Sequence, residues 1–389
     1  MPISKKGAQT KKIRTGLLLT LIVIVGLFFR LFFFNGVGIS DPIEYSIYAI
    51  ELSKGDFPPK EYDHGVTRLG LILPTSLSYY IFSVNEVSSV LFPLLLSIGG
   101  IILIFFFAKL LFNEKVGLIA AFLLSIYPLD VVNSTRLLSD LPSAFFAGLS
   151  VFIFLKAEKF NDGLKNKSLY LLSGLLLGLA YMIREMAILT ALFFLIYVLY
   201  KRKIKSGYLI VGAGFLIMLL AEMFLFYHFF NDPFFKINAL NSPQLLEVFK
   251  GLNYYGRNEF PKFFLTWPFV IYGDIQTGYF YLFVLLSASY WLFHRKDETN
   301  YLLIWFLSIL LYLYLGSQSL RTYAPFVAVE RFLTLITIPG LLLLAAFLNE
   351  KEKILKKLIL PFTLIFLFVT SIGAAHLEVS KTLYGKENV

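Results

Sequence analysis

The chain has no cysteine, which excludes disulfides, thiolate nucleophiles and zinc–thiolate sites. Histidine is almost as scarce. His64, His228, His294 and His376 are scattered, without the HExxH-like spacing of a histidine-rich metal site. Charge is sparse: only 15% of the 389 residues are charged, against roughly 25% in an ordinary soluble domain. There is no Gly-rich loop of the kind that cradles nucleotide phosphates. No polar stretch is long enough to form a soluble domain of its own. What the chain does contain is apolar, 58% hydrophobic and 17% aromatic, in recurring runs of about 18 residues or more, enough to cross a bilayer core.

The charge that remains is sorted. Twenty-one of the 35 Lys and Arg residues fall in six clusters, at Lys5–Arg14, Lys109–Lys115, Lys156–Lys167, Lys201–Lys205, Arg295–Lys296 and Lys351–Lys357. Segments between apolar runs alternate between basic and poor in Lys and Arg. That alternation is the mark of a multi-spanning membrane protein whose basic loops stay cytoplasmic. The net charge of +10 is therefore a topology signal, aided by anionic lipid heads, and no nucleic-acid partner is expected. The pattern predicts an all-α integral membrane protein, one domain over 1–389, with about eleven transmembrane helices. These lie near 13–34, 88–112, 116–132, 141–157, 168–183, 186–200, 206–230, 276–293, 300–316, 331–348 and 356–375. The first run exceeds the roughly 7–15 residues of a signal-peptide core and reads as a retained span.

An odd count leaves the N-terminus cytoplasmic and the outer segments at 35–87, 133–140, the turn Arg184–Glu185, 231–275, 317–330 and 376–389. The loop 35–87 holds two helical patterns, Pro42–Leu52 and Leu69–Phe82, that suit helices lying in the membrane interface. Ser40 or Asp41 would cap the first, with Pro42 at its opening position. In the long loop 231–275, the aromatic stretch 260–272 suits the headgroup region.

The outer side also collects the chemistry. Asp41 and Glu44 share a face at i and i+3, and Asp41 sits where a helix dipole favours ionised carboxylate. Arg136 and Asp140 are four apart, a spacing that also fits a plain interfacial ion pair. Arg184 and Glu185 interrupt an apolar stretch, as a cavity-facing pair or as a simple turn would. Arg331 and Glu330 stand before a late span, with Arg321 nearby; rim guanidinium groups suit a phosphate, or merely snorkel. Glu222 lies inside a span without an assigned role, and neither does His228 receive one. Carboxylates beside arginines fit a reaction on a phosphate-linked substrate, one group taking a proton and the others holding the departing phosphate.

The segment SDPIEYSIYAIELSKGDF resembles the first-loop signature of the polyprenyl-phosphate-dependent GT-C glycosyltransferases, a group that includes protein O-mannosyltransferases and lipid A aminoarabinose transferases. Asp41, Tyr45, Ala49, Gly55 and Asp56 carry that likeness. DHGVTRLGLILPTSLSYYIF is similar to the second interfacial helix, and the stretch around Arg136 and Asp140 to the next spans. GLAYMIREMAILTALFFLIYVLYKR and ERFLTLITIPGLLLLA extend the likeness, which covers most of 13–205 and about 320–348. Relatives commonly have Asp-Glu where this chain has Asp41-Pro42.

The resemblance implies a catalytic Asp41 with Asp140 as a second acid. Arg184 and Arg331, joined by Arg136, would bind the donor phosphate, and Glu44, His64 and Arg68 are further substrate-binding candidates. It implies a membrane glycosyltransferase, of hexosyltransferase or mannosyltransferase kind, that takes its sugar from a polyprenyl or dolichyl phosphate. The acceptor would be a protein, lipid or glycan on the outer face, most simply of a prokaryotic cell membrane. Asp41 would act as general base in an inverting transfer. No cofactor is required, although Asp41 and Asp140 could share a divalent cation, Mg²⁺ or Mn²⁺. Only 14 residues follow the last expected span, so no large soluble C-terminal domain is expected. A multi-spanning transporter or lipid flippase, and a scaffold without activity, are the alternatives.

Overall fold

The structure is a computed structural model and describes residues 5–38, 40–59, 64–159, 164–241, 277–317, 323, 326, 329–350 and 353–387. Arg321 and the aromatic stretch 260–272 lie outside the described residues, as does most of the loop 231–275. The described chain is all-α, with no strand. In chain order the helices are α1 (Lys5–Phe32), α2 (Asp41–Lys54), α3 (Leu69–Phe82), α4 (Glu86–Leu111), α5 (Glu114–Ile126), α6 (Pro128–Asn133), α7 (Asp140–Glu158) and α8 (Leu164–Ile183). They continue as α9 (Thr190–Lys201), α10 (Ser206–Phe230), α11 (Phe235–Leu240), α12 (Phe280–Phe293), α13 (Asp297–Leu315), α14 (Thr334–Glu350) and α15 (Lys353–Glu387).

Helix occurs at every expected span. Eight of the described helices are long and apolar enough to cross a bilayer, which makes this an integral membrane protein. The positions 116–132, 186–200 and 276–293 carry shorter pieces, each with a local cause or limit. At 116–132 the helix breaks at Tyr127 (ψ 116°), because Pro128 disfavours the helical conformation of the residue before it and opens the short α6 instead. At 186–200 the first turn, Glu185–Leu189, is 3₁₀ and α9 starts only at Thr190. The last helix runs past its expected end at 375 to Glu387.

Helix α14 is the centre. Leu341 through Ala346 are all buried, and the helix packs against α5, α7, α12 and α13. The flanks are apolar outward: Leu17, Leu21, Ile24 and Phe28 on α1, and Leu209, Leu216, Leu220 and Phe224 on α10, are exposed. A face of that size would be costly in water and is suited to acyl chains. Helices α8 and α10 approach most closely where Gly174 meets Gly214. A Cβ at Gly174 would lie 2.0 Å from the Val211 carbonyl oxygen, and one at Gly214 would lie 2.4 Å from that of Leu171. Small residues at a helix contact let backbones come together where lipid provides no hydrophobic drive.

Helix α1 carries one deeply buried charge, Arg30. Its guanidinium binds Asp130 on α6, donates to Ser97 Oγ on α4 at 2.6 Å and to the Ser125 carbonyl oxygen at 3.1 Å. Ser97 also donates to Asp130. Four helices, α1, α4, α5 and α6, are thereby pinned together next to the segment that leads to Arg136. Removing one partner leaves an uncompensated buried charge, at a cost of about 3–5 kcal/mol. Arg30→Met therefore lowers the apparent melting temperature sharply in detergent. The double replacement Arg30→Met/Asp130→Leu recovers most of that loss, because two apolar residues leave no orphan. Equal melting of all three proteins would contradict the pairing.

Candidate active site

Both expected loop helices form, and each of the two carboxylates begins a helix. Asp41 opens α2, where Ser40 stands at the N-cap and donates to Asp41 Oδ1 at 3.3 Å rather than capping the backbone, and Asp140 opens α7. A carboxylate in a first helical turn is stabilised in its ionised form by the helix dipole. Arg184 follows the last residue of α8, where a cation complements the other end of the dipole. Its backbone is set by a close approach: a Cβ on Gly70 of α3 would lie 2.8 Å from the Ile183 backbone nitrogen. Arg331 sits in the 3₁₀ turn Glu330–Leu333 that leads into α14.

Asp41 and Arg331 meet, with Arg331 Nη1 3.0 Å from Asp41 Oδ2 and side chains 33% and 35% exposed respectively. They stand on the wall of a cavity of about 440 Å³, together with Arg136, Glu330, Glu378 and Lys381. Behind it, Asp140 pairs with Arg184. These two share a narrow cleft with Arg331 and Phe332, and the Arg184 guanidinium lies 5.2 Å from the Phe332 ring centre. Deeper still, Arg68 donates to Tyr45 and, at 3.0 Å, to Ser139 Oγ, with Glu185 at 3.8 Å. Arg136 lies 3.7 Å from Glu378 on α15.

The electrostatics follow from this order. Burial alone would raise the Asp41 pKa, but the charge and hydrogen bond of Arg331, then Arg68 and Arg184, outweigh it and hold the carboxyl below its ordinary value. Glu185 behaves alike: against the effect of burial, Arg68, Arg184 and Lys236 bring it down to about 2. Arginine nevertheless remains in excess of its hydrogen-bond partners. The Nε groups of Arg68, Arg184 and Arg331 are buried and donate to nothing among the described residues. Buried donors of this kind need an acceptor, and a planar cation with spare N–H groups is suited to a phosphate.

Of the residues expected from the sequence, Asp41, Arg136 and Arg331 therefore line the cavity, Asp140 and Arg184 stand directly behind it, and Arg68 supports them from within. Glu44 and His64 lie on the same loop but line neither space. Asp41 and Asp140 each face an arginine, and no group of three His, Asp or Glu side chains gathers among the described residues. Glu378 and Lys381 were not anticipated, because they lie on the helical extension of the last span. Glu222 finds its partner in Lys236, at 2.9 Å; the Lys236 ammonium also donates to the Tyr181 carbonyl oxygen.

Residues 73–227 match the family model described as dolichyl-phosphate-mannose-protein mannosyltransferase. No curated protein matches the chain. Among solved structures, the oligosaccharyltransferase AglB of Archaeoglobus fulgidus, in complex with an inhibitory peptide and a dolichol-phosphate, superposes with a TM-score of 0.63 at 14% identity. That match covers 95% of this chain and 56% of AglB. ArnT of Cupriavidus metallidurans in the apo state gives a TM-score of 0.58 at 16% identity, over 89% of this chain and 61% of ArnT. ArnT bound to undecaprenyl phosphate gives 0.55 at 15% identity. The chain thus spans little more than half the length of these proteins. It shares the fold of AglB and ArnT, and its residues 73–227, about two-fifths of the sequence, match the mannosyltransferase family model.

Proposed function

We propose that the chain is a membrane glycosyltransferase that moves a sugar from a polyprenyl or dolichyl phosphate to an acceptor on the outer face, with inversion at the anomeric carbon. The observation that carries this reading is the Asp41–Arg331 contact at the wall of a 440 Å³ cavity. One side chain accepts protons and its neighbour binds phosphate. Asp41 takes the proton of the acceptor hydroxyl as its oxygen attacks the anomeric carbon. The bond from that carbon to the phosphate oxygen breaks, and the electron pair leaves with the lipid phosphate. Negative charge grows on the phosphate, and Arg331 and Arg136 oppose it, with Arg184 adding its field from behind.

The contact also regulates the base. A carboxylate held at low pKa by Arg331 is a weak proton acceptor. When a donor phosphate takes over part of that guanidinium, the Asp41 pKa rises toward the range where it acts better as a base. Donor binding would thereby arm Asp41. The lipid carriers bound by AglB and ArnT support the donor class. The basic clusters at the other end of the bundle support an N-terminus inside and a site outside.

The test is a donor panel in proteoliposomes. Polyprenyl-phosphate mannose and other polyprenyl-phosphate sugars are supplied beside the matching nucleotide sugars, with labelled sugar followed into product. Transfer from a lipid-phosphate donor is expected. Use of nucleotide sugars alone would remove the proposal, and passage of lipid across the membrane without any glycosylated product would favour a flippase.

A further inference from the structure

The opposite end of the bundle holds a second cavity, of about 370 Å³, that sugar transfer does not use. Helix α7 connects the two ends: Asp140 begins it and Glu158 ends it, a helix of 19 residues. At 1.5 Å per residue this is about 28 Å, close to the thickness of a bilayer core. The cavity therefore lies at headgroup level on the far side of the membrane from Asp41, where α7 and α9 end and α10 and α13 begin.

Its floor is Glu158, with only 11% of the side chain exposed. That carboxylate is fully engaged by the protein. It accepts from Tyr197 at 3.0 Å, Tyr208 at 3.3 Å and Lys205 at 3.1 Å, and also from Tyr170. Three further lysines border the same space, and among the described residues only Lys201 has a carboxylate near it. Lys201 donates to the Tyr301 hydroxyl at 2.6 Å and lies 4.8 Å from the centre of that ring. Its acidic neighbour Asp297 is 3.9 Å away and 68% exposed, on the rim with Glu298. Lys159 donates to the Leu110 carbonyl oxygen, a neutral group. Lys203 has no partner among the described residues.

The backbone bends to gather them. Arg202 is left-handed, with φ 50°, and closes α9 as its C-cap, its backbone N–H donating to the Val198 and Leu199 carbonyl oxygens. It turns the chain so that Lys201, Lys203 and Lys205 all border one cavity. A loop that only marks the cytoplasmic side needs positive charge. It needs neither convergence on one cavity nor a tyrosine wall.

We infer that this cavity binds a phosphate group, with Lys201, Lys203 and Lys159 supplying the charge and the tyrosines lining the space beside it. Lysines act as point charges that can surround a compact anion from several sides. The phosphate belongs either to a lipid headgroup or to a soluble molecule, and both present the same chemistry. The site is independent of the sugar-transfer reading.

Thermal unfolding of the full chain separates the cases. In neutral detergent, inorganic phosphate is titrated at constant ionic strength against chloride. In parallel, nanodiscs of phosphatidylcholine are compared with nanodiscs containing phosphatidic acid. Saturable stabilisation by phosphate identifies a soluble-phosphate site, and stabilisation by phosphatidic acid alone identifies a lipid site. In either case Lys203→Ala, which removes an exposed side chain without a partner, melts like the wild type when no ligand is added. It binds about tenfold more weakly. Lys159→Ala/Lys203→Ala weakens binding further. An equal response in wild type and double variant, or no saturable response to either probe, overturns the inference.

Discussion

Asp41→Asn lowers sugar transfer by about 10²–10⁴-fold, the usual contribution of a positioned general base. Asn is nearly the same size, and its amide oxygen still accepts from Arg331 Nη1, 3.0 Å from the carboxylate it replaces. The cavity wall therefore keeps its shape. The variant cannot take up a proton, so the acceptor hydroxyl must attack unassisted. Stability changes little, because the pair is about one-third exposed on both sides and exposed ion pairs contribute little. The variant inserts and melts as the wild type does while product formation collapses. Wild-type turnover by Asp41→Asn would remove Asp41 from the chemistry.

Arg331→Gln has the next largest effect, about 10²–10³-fold, comparable to the loss of one donor from a site that stabilises developing negative charge. Arg184 and Arg136 remain near the phosphate, which limits the loss. Arg331→Lys retains the charge without the planar fork and falls between the two. The substitution also changes the pH profile. Arg331 is the first of the charges that hold the Asp41 pKa down. Without it that pKa rises, so a larger share of Asp41 is protonated in mild acid and the residual activity fails at higher pH. The acid limb of the rate profile therefore moves upward in Arg331→Gln. A limb that stays in place would mean that Asp41 and Arg331 do not interact in the working enzyme.

Much of the fold could be read from the sequence, because hydropathy in a membrane protein acts at long range. A long apolar run has one low-energy location, the hydrocarbon layer of the bilayer, whether it faces lipid or, as Leu341–Ala346 does, the bundle interior. What local pattern could not show was where backbone geometry departs from a straight helix. The break at Tyr127 follows from Pro128, a visible signal, whereas the 3₁₀ turn Glu185–Leu189 leaves no mark in the residue pattern. The continuation of α15 to Glu387 brings Glu378 to within 3.7 Å of Arg136. Apolar periodicity alone ends too early to foresee it.

The residues that border the cavity could be gathered in the sequence by resemblance, and less so by spacing. Asp41 and Arg331 are 290 residues apart, and no local rule joins them. Arg68 resembles a substrate ligand in sequence, and its contacts with Tyr45, Ser139 and Glu185 could not be read there. Side-chain direction depends on packing partners that the sequence does not name. Arg30 is the clearest omission. A lone arginine in an apolar run signals a buried partner, but identifying Asp130, 100 residues later, required the fold.

The account depends on a single displacement at the Asp41 cavity, and the configuration of the product tests that most directly. A polyprenyl-phosphate sugar of known anomeric form is converted by the purified protein, and the new glycosidic linkage is read by proton NMR. Attack by an acceptor activated by Asp41, opposite the leaving phosphate, gives the inverted anomer. A product that keeps the donor's configuration would require two displacements and would contradict the role assigned to Asp41.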